Sequence, residues 1–213
     1  MKNSIIKKLG ALCLTTALSY GISSSFSSPV AAKGDGTVVF VGNPETEKSK
    51  VIAKIFETCG QESNDMSNIP TLTLNAYDTI VNIKVIDTAG HVKFRSLTQS
   101  NVRSADVVVV AVDMSDKNGL SSLGEWIDFI KENAPEEAQV IVIGTNSEEA
   151  AFSLDAMQNA VNSLSFDRIK RVICVSDKTH EGINELITDA AKLIHAIPED
   201  NEEKKAPSVC LLV

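Results

Sequence analysis

From Gly36 onward, short apolar stretches alternate with helical patterns, and this alternation is the feature that most limits the fold. Residues 107–112 form a β-branched run with no polar position, which places them at the centre of a sheet covered on both faces. Residues 71–74 and 80–86 alternate in polarity and are spaced for an antiparallel hairpin. The pattern therefore predicts an α/β fold with a mostly parallel six-stranded sheet and helices on both faces.

The remaining elements follow from the same periodicities. Further strands are predicted at residues 37–41, 140–143 and 172–175, and helices at residues 49–59, 120–132, 154–164 and 183–194. The only tryptophan, Trp126, lies on an amphipathic helix and is expected to pack in the core.

The segment Gly42-Asn43-Pro44-Glu45-Thr46-Glu47-Lys48-Ser49 lies between a predicted strand and a predicted helix, as a phosphate-binding loop does. In such a loop, backbone N–H groups surround the phosphates, the lysine neutralises them and the Ser hydroxyl holds Mg²⁺. Gly42, Lys48 and Ser49 match this pattern, but Glu47 replaces a glycine. A carboxylate about 4 Å from a phosphate charge is repelled by roughly 4 kcal/mol at an effective dielectric near 20, so weakened binding is expected.

A second motif, Asp87-Thr88-Ala89-Gly90, follows a predicted strand, where an Asp supports a Mg²⁺ shell and a glycine N–H senses a phosphate. Residues 87–98 resemble the second switch region of Rab proteins, and residues 36–197 as a whole resemble a Ras-superfamily small GTPase. The resemblance implies a P-loop small-GTPase fold over residues 33–197, with GTP or GDP and Mg²⁺ as ligands. Ser49 and Asp87 are then the expected metal ligands.

The position after Gly90 is His91, where the family usually has a glutamine that orients the attacking water. An imidazole lacks the paired donor and acceptor of an amide, so intrinsic hydrolysis is expected to be slow or absent. His91 is therefore a candidate catalytic residue, and a surface residue without a catalytic role is the alternative.

The resemblance also implies a guanine-binding loop at Thr145-Asn146-Ser147-Glu148 and a last motif at Ser176-Asp177-Lys178. The expected nucleotide-binding residues here are Thr145, Asn146, Glu148, Ser176 and Lys178. Glu148 keeps a carboxylate for the guanine N–H donors, whereas Asn146 lacks the aliphatic stem that lies along the base. Guanine specificity is expected to be reduced.

The family closes the site with a threonine in the first switch. Ser63, Ser67 and Thr71 are the candidates for this role, and the spacing selects none of them. Without this threonine, nucleotide state would couple weakly to the surface that partners recognise.

The two ends of the sequence predict different destinations. Residues 1–32 contain basic residues, a short apolar run and a small-residue site, which predicts a secretory signal peptide or targeting leader and hence export. Residues 198–213 form a polar tail that ends Cys210-Leu211-Leu212-Val213, a prenylation pattern that predicts membrane association through a lipidated Cys210. A disordered leader and a coincidental cysteine are the respective alternatives.

The formal net charge of −8 argues against nucleic acid as a partner. The resemblance implies effector or regulator proteins as partners through the switch regions, and a monomer is expected. Two functional hypotheses follow. The chain is a Rab-like GTP-binding protein with weak nucleotide binding and slow hydrolysis, or it is a pseudo-GTPase that serves as an interaction module or decoy without a nucleotide cycle.

Overall fold

The structure is a computed structural model that describes residues 35–61, 69–76 and 79–195. The predicted leader (1–32), the predicted tail (198–213) with Cys210, and the switch candidates Ser63 and Ser67 lie outside the described residues. Within the described part of the chain, no helix is both long enough and apolar enough to span a bilayer.

Six strands and five helices alternate along the described residues. The strands are β1 (Asp35–Gly42), β2 (Thr71–Ala76), β3 (Thr79–Asp87), β4 (Val107–Asp113), β5 (Gln139–Thr145) and β6 (Ile169–Cys174). The helices are α1 (Lys48–Thr58), α2 (Arg95–Val102), α3 (Ser121–Asn133), α4 (Leu154–Ser163) and α5 (Ile183–His195). Single turns of 3-10 helix occur at Val92–Phe94 and Ser147–Glu149.

The strands form one sheet in the order β2-β3-β1-β4-β5-β6. Neighbouring strands are parallel except β2 and β3, which form the predicted antiparallel hairpin. Strand β4 lies between β1 and β5, and its first six residues are buried, as its β-branched sequence predicted. The mostly parallel six-stranded sheet is therefore confirmed.

Two apolar clusters cover the two faces of the sheet. On one face, residues of α1 and α5 such as Phe56 and Leu186 pack on strand residues such as Phe40. On the other face, residues of α3 and α4 such as Trp126 and Met157 form the second cluster. Helices on both faces are thus confirmed, and so is the core position of Trp126, which is 1% exposed.

The sequence pattern missed α2. Only Thr98 and Val102 of this helix are buried, so the segment lacks the apolar stripe by which an amphipathic helix is recognised. The other predicted elements are present, with ends that differ by a few residues; β6, for example, begins at Ile169 rather than at residue 172.

Candidate functional site

The loop between β1 and α1 is shaped by close backbone approach. Gly42 has a φ of 146°, and a Cβ at this position would lie 2.5 Å from the carbonyl oxygen of Ala111 on β4. Only glycine fits both conditions. The Thr46 hydroxyl, which is buried, donates a hydrogen bond of 2.8 Å to the Asn43 carbonyl oxygen and closes the loop from inside.

Lys48, the first residue of α1, lies beneath this loop and is 5% exposed. Its ammonium donates to the carbonyl oxygens of Gly42 at 3.0 Å and Asn43 at 2.7 Å, and to the Thr46 hydroxyl at 3.1 Å. Burial lowers the pKa of Lys48 below its usual value, and the nearby Asp87 carboxylate opposes that shift. A positive charge held at a helix N-terminus is suited to neutralise a phosphate.

Glu47 occupies the N-cap of α1 in the left-handed region, with φ 52° and ψ 22°. This conformation favours glycine, and it costs another residue about 1–2 kcal/mol. The Glu47 carboxylate forms an ion pair of 2.8 Å with the ammonium of Lys50 in the next turn. The repulsion of roughly 4 kcal/mol expected from the sequence did not take Lys50 into account. Because Lys50 partly neutralises the Glu47 carboxylate, the repulsion of a phosphate in the loop is smaller than that value.

Ser49 and Asp87, the predicted metal ligands, lie side by side. The Ser49 hydroxyl donates a hydrogen bond to the Asp87 carboxylate at the end of β3, and both groups are exposed. An alcohol and a carboxylate oxygen side by side are donors that a hard cation such as Mg²⁺ prefers. No group of three or more His, Cys, Asp or Glu residues able to hold a metal occurs within residues 35–61, 69–76 and 79–195.

The segment after Asp87 rests directly on the phosphate loop. A Cβ on Gly90 would lie 2.4 Å from the Asn43 carbonyl carbon and 2.4 Å from the Gly42 carbonyl oxygen. No side chain fits in this space, so glycine is needed for the Gly90 backbone to lie against the loop.

His91 is exposed and caps the 3-10 turn Val92–Phe94. Its Nδ1 accepts a hydrogen bond of 3.2 Å from the backbone N–H of Lys93. An Nδ1 that accepts leaves the neutral ring protonated on Nε2, so the free nitrogen is a donor only. In this arrangement His91 cannot both orient a water molecule and accept its proton.

The predicted guanine loop begins at the end of β5. Thr145 is buried, and its hydroxyl donates to the Val112 carbonyl oxygen at 3.2 Å. Asn146 adopts a left-handed conformation, and its amide donates to the Asp113 carboxylate at 3.0 Å. Burial acts to raise the pKa of Asp113, but hydrogen bonds from Asn146 and Ser115 outweigh it and hold that pKa below its usual value.

Glu148 and Ser176 are brought together across the site. The buried Ser176 hydroxyl donates to the Glu148 carboxylate, and this hydrogen bond lowers the pKa of Glu148. The Ser176 oxygen also accepts from the backbone N–H groups of Lys178 at 3.2 Å and Thr179 at 3.1 Å. The Glu148 carboxylate is therefore ionised and fixed, as a group that accepts from N–H donors of a base must be.

Of the first-switch candidates, the structure describes Thr71 alone. Thr71 opens β2, is exposed, and its hydroxyl donates to the Ile69 carbonyl oxygen at 3.2 Å. That hydrogen bond is local to the start of β2. It does not select Thr71 as the switch threonine, so none of the three candidates is assigned this role.

Sequence reasoning missed the partners Lys50 of Glu47 and Asp113 of Asn146. It also missed the contacts that Asn43 and Arg95 make with Trp126. The Trp126 indole N–H donates to the Asn43 side-chain oxygen at 3.0 Å, and the Arg95 guanidinium lies 4.0 Å from the centre of the Trp126 ring. The aromatic residue at a core position was recognised, but no sequence spacing indicates the partners of Trp126.

Comparison with known proteins agrees with this arrangement. The model of the Ras family matches residues 37–196, most of the chain, and the chain therefore belongs to the Ras family. Relatives named as Rab proteins confirm the Rab-like resemblance.

Three relatives are between 25% and 30% identical to the chain over the aligned residues. Ras-related protein RabZ of Dictyostelium discoideum is 25% identical over 163 residues, which cover 75% of this chain and 71% of RabZ. Ras-related protein SEC4 of Saccharomyces cerevisiae is 27% identical over 124 residues, covering 57% of this chain and 56% of SEC4. Human EF-hand calcium-binding domain-containing protein 4B is 30% identical over 121 residues, covering 55% of this chain but 17% of that protein.

Proposed function

We propose that this Ras-family chain is a Rab-like GTP-binding protein that binds nucleotide weakly, hydrolyses GTP slowly or not at all, and acts through protein partners at a membrane. The observation that carries the proposal is that the first two residues of α1, Lys48 and Ser49, place an ammonium and a hydroxyl at the start of this helix. A buried Lys48 ammonium lies under the loop carbonyls, and the Ser49 hydroxyl meets the Asp87 carboxylate beside it. Ras-family proteins generally bind GTP or GDP with Mg²⁺, and these residues fit that ligand set.

Glu47 supports the weak binding in this proposal. Its left-handed backbone and its carboxylate both stand where close approach to phosphate oxygens favours glycine. The ion pair with Lys50 reduces the repulsion but does not remove the side chain.

The base end of the site supports reduced guanine selectivity. Glu148 offers an ionised carboxylate, and Ser176 fixes its position. Asn146, in contrast, is engaged with Asp113 and has no long alkyl stem to lie along the plane of a base. Lys178 is exposed at the same end.

Slow hydrolysis is supported by the state of His91. Its Nδ1 accepts a hydrogen bond from the Lys93 N–H, so only Nε2 faces solvent, and in the neutral ring Nε2 is a donor. A water molecule beside it would gain orientation but no base.

Partner recognition is supported by an apolar surface on the second switch region. Val92, Phe94 and Leu97 are 72%, 51% and 62% exposed, and all three belong to the 3-10 turn and α2 that follow His91. Clustered apolar side chains of this kind on a soluble domain mark protein contacts. Rab-like proteins generally bind effectors and regulators through the switch regions, and we propose the same for this chain as a monomer.

The site of action is proposed from the sequence. The Cys210 prenylation pattern would provide a lipid anchor, whereas residues 1–32 would direct export, which is a different destination; the membrane role proposed here rests on Cys210. Both lie outside the described residues. A single lipid chain anchors weakly, so a protein partner would add to membrane retention.

The test is a titration of the purified full-length chain with fluorescent GDP and GTP analogues in Mg²⁺, with an ATP analogue as the control. Binding that depends on Mg²⁺ and prefers guanine is the expected result. An absence of binding at hundreds of micromolar would refute nucleotide binding and favour the pseudo-GTPase, an alternative that rests on Glu47 and Asn146.

A further inference from the structure

Trp126 lies between the phosphate loop and α2, and it is the only tryptophan in the chain. The ring is 1% exposed within the cluster on one face of the sheet, so its position is fixed by packing. It nevertheless makes two specific contacts outside its own helix, one with its N–H edge and one with its ring face.

The edge contact reaches the phosphate loop. The indole Nε1 donates to the Asn43 side-chain oxygen at 3.0 Å. Asn43 is also the residue whose backbone carbonyl accepts from the Lys48 ammonium at 2.7 Å and from the Thr46 hydroxyl at 2.8 Å. A shift of the loop around Lys48 would therefore act on the tryptophan through Asn43.

The face contact reaches α2. The Arg95 guanidinium lies 4.0 Å from the centre of the Trp126 ring and 4.9 Å from that of Phe129. The two rings meet edge to face, with centroids 5.7 Å apart. Arg95 Nη1 is buried and has no hydrogen-bond partner among the described residues. The contact of the guanidinium with the Trp126 and Phe129 rings therefore holds it in place.

A second tie joins the same helices without the tryptophan. The Gln99 side-chain amide of α2 donates to Asn133 of α3 at 2.5 Å, and Asn133 donates to the Phe129 carbonyl oxygen at 2.8 Å. Helix α2 is thus attached to α3 at both of its turns, while its own buried surface is limited to Thr98 and Val102.

We infer that Trp126 is a positioning residue that couples the phosphate loop to α2, through its hydrogen bond to Asn43 and its ring stacking with Arg95. One consequence of this coupling rests on the proposed function: a nucleotide bound in the loop would alter the apolar surface formed by Val92, Phe94 and Leu97. The coupling itself is a property of the ligand-free chain. A buried ring with one N–H cannot follow Asn43 without changing the surface on which Arg95 rests.

The experiment measures hydrogen exchange of residues 95–102 in the ligand-free full-length protein. Asn43→Leu removes the acceptor in a side chain of similar size, and Asn43→Asp keeps an acceptor oxygen. We expect Asn43→Leu to accelerate exchange in residues 95–102 by about threefold to tenfold, the equivalent of one lost hydrogen bond. Asn43→Asp should restore exchange to within about twofold of the wild-type rate.

Trp126 emission reports independently whether the indole bond is broken. A shifted emission in Asn43→Leu with unchanged exchange in residues 95–102 would overturn the inference, as would unchanged emission. Arg95→Lys should accelerate exchange in the same segment. Phe129→Leu removes a ring against Arg95 but no contact with the loop, so in that background Asn43→Leu should still accelerate exchange and Asn43→Asp should still restore it. Loss of the Asn43 effect in Phe129→Leu would assign the coupling to Phe129 and overturn the role of Trp126.

The nucleotide arm keeps the two proposals separable. Addition of GDP and Mg²⁺ should change Trp126 emission in the wild-type protein and by less than half as much in Asn43→Leu. An emission that never responds to GDP would count against the proposed function, and the exchange result would still decide the coupling.

Discussion

Replacing Glu47 with glycine tests how this loop limits nucleotide affinity. Glycine adopts the left-handed conformation of this position without the cost of about 1–2 kcal/mol that a side chain meets, but it adds about 0.4–1 kcal/mol of chain entropy to the unfolded state, which opposes that gain. The free energy of unfolding should therefore rise by about 0–1.6 kcal/mol. Any larger change in nucleotide affinity would come from the side chain itself rather than from a more stable fold.

The charge contribution follows from the environment of the carboxylate. Two unit charges 4 Å apart interact by about 4 kcal/mol at a dielectric of 20 but by about 1 kcal/mol in water. The Glu47 side chain is 32% exposed and paired with Lys50, so the smaller figure applies. Glu47→Gly should then raise the affinity for a GDP analogue about fivefold, since 1.4 kcal/mol corresponds to about tenfold.

Two companion variants separate the charge from the backbone. Glu47→Gln removes the charge but keeps a side chain in the left-handed backbone conformation. It should therefore recover only the electrostatic part of the gain in nucleotide affinity. Lys50→Ala leaves the carboxylate without its partner, so it should weaken binding by about twofold to fivefold with little change in stability.

The assay is titration with a fluorescent GDP analogue in Mg²⁺ at low and high salt. Screening should reduce the difference between Glu47→Gln and the wild type at high salt. Equal affinities for the wild type, Glu47→Gly and Lys50→Ala would refute the reasoning, because the carboxylate would then have no influence on the site.

Three further predictions concern the base end, the core and pH. Asn146→Lys should raise affinity for a guanine analogue about threefold to fivefold, because the new stem can lie along the base while its ammonium still reaches Asp113. Ile127→Ala, at a side chain that is 0% exposed, should lower the free energy of unfolding by about 2–5 kcal/mol in urea titration, whereas Leu97→Ala, at an exposed site, should change it by less than about 0.5 kcal/mol. Burial lowers the pKa of His195 below 6.5, so the unfolded chain takes up the proton first and stability should fall as the pH drops below 6.5; His195→Phe should reduce this slope in thermal unfolding.

Each of these has a contrary result. An Asn146→Lys protein whose preference for guanine over adenine is unchanged would show that the stem does not reach the base. Equal losses in Ile127→Ala and Leu97→Ala would contradict the assignment of the core. A pH slope retained in His195→Phe would place the titrating group elsewhere.

The sheet could be predicted because the order of apolar and polar residues in each strand indicates which of its faces are buried. The run at β4 is apolar at every buried position, and β2 and β3 alternate as a half-covered hairpin does. Helix α2 could not be predicted, because it exposes Leu97 and buries Thr98. Its place is set by contacts with α3 and β1, which exist only in the packed molecule.

The candidate site divides in the same way. Motif spacing located Ser49, Asp87 and Glu148, since a loop at a strand end puts each residue at a known edge of the sheet. Spacing could not locate the partner of Asn43, which is 83 residues away. The partner of Glu47 is three residues away, and this i,i+3 spacing is present in the sequence, although the predicted repulsion did not include it. Side-chain partners across a fold are set by packing that no local pattern records.

The candidate groups lie at the carboxyl ends of strands and in the loops and helix starts that follow them, while the strands themselves fill the core. An unfavourable residue in such a loop, such as Glu47, costs about 1–2 kcal/mol, a minor part of the 5–15 kcal/mol by which domains are stable. Substitutions at this edge therefore meet selection through ligand binding far more than through folding. A lineage released from the need for tight nucleotide binding could drift here residue by residue and keep an intact scaffold and its partner surface.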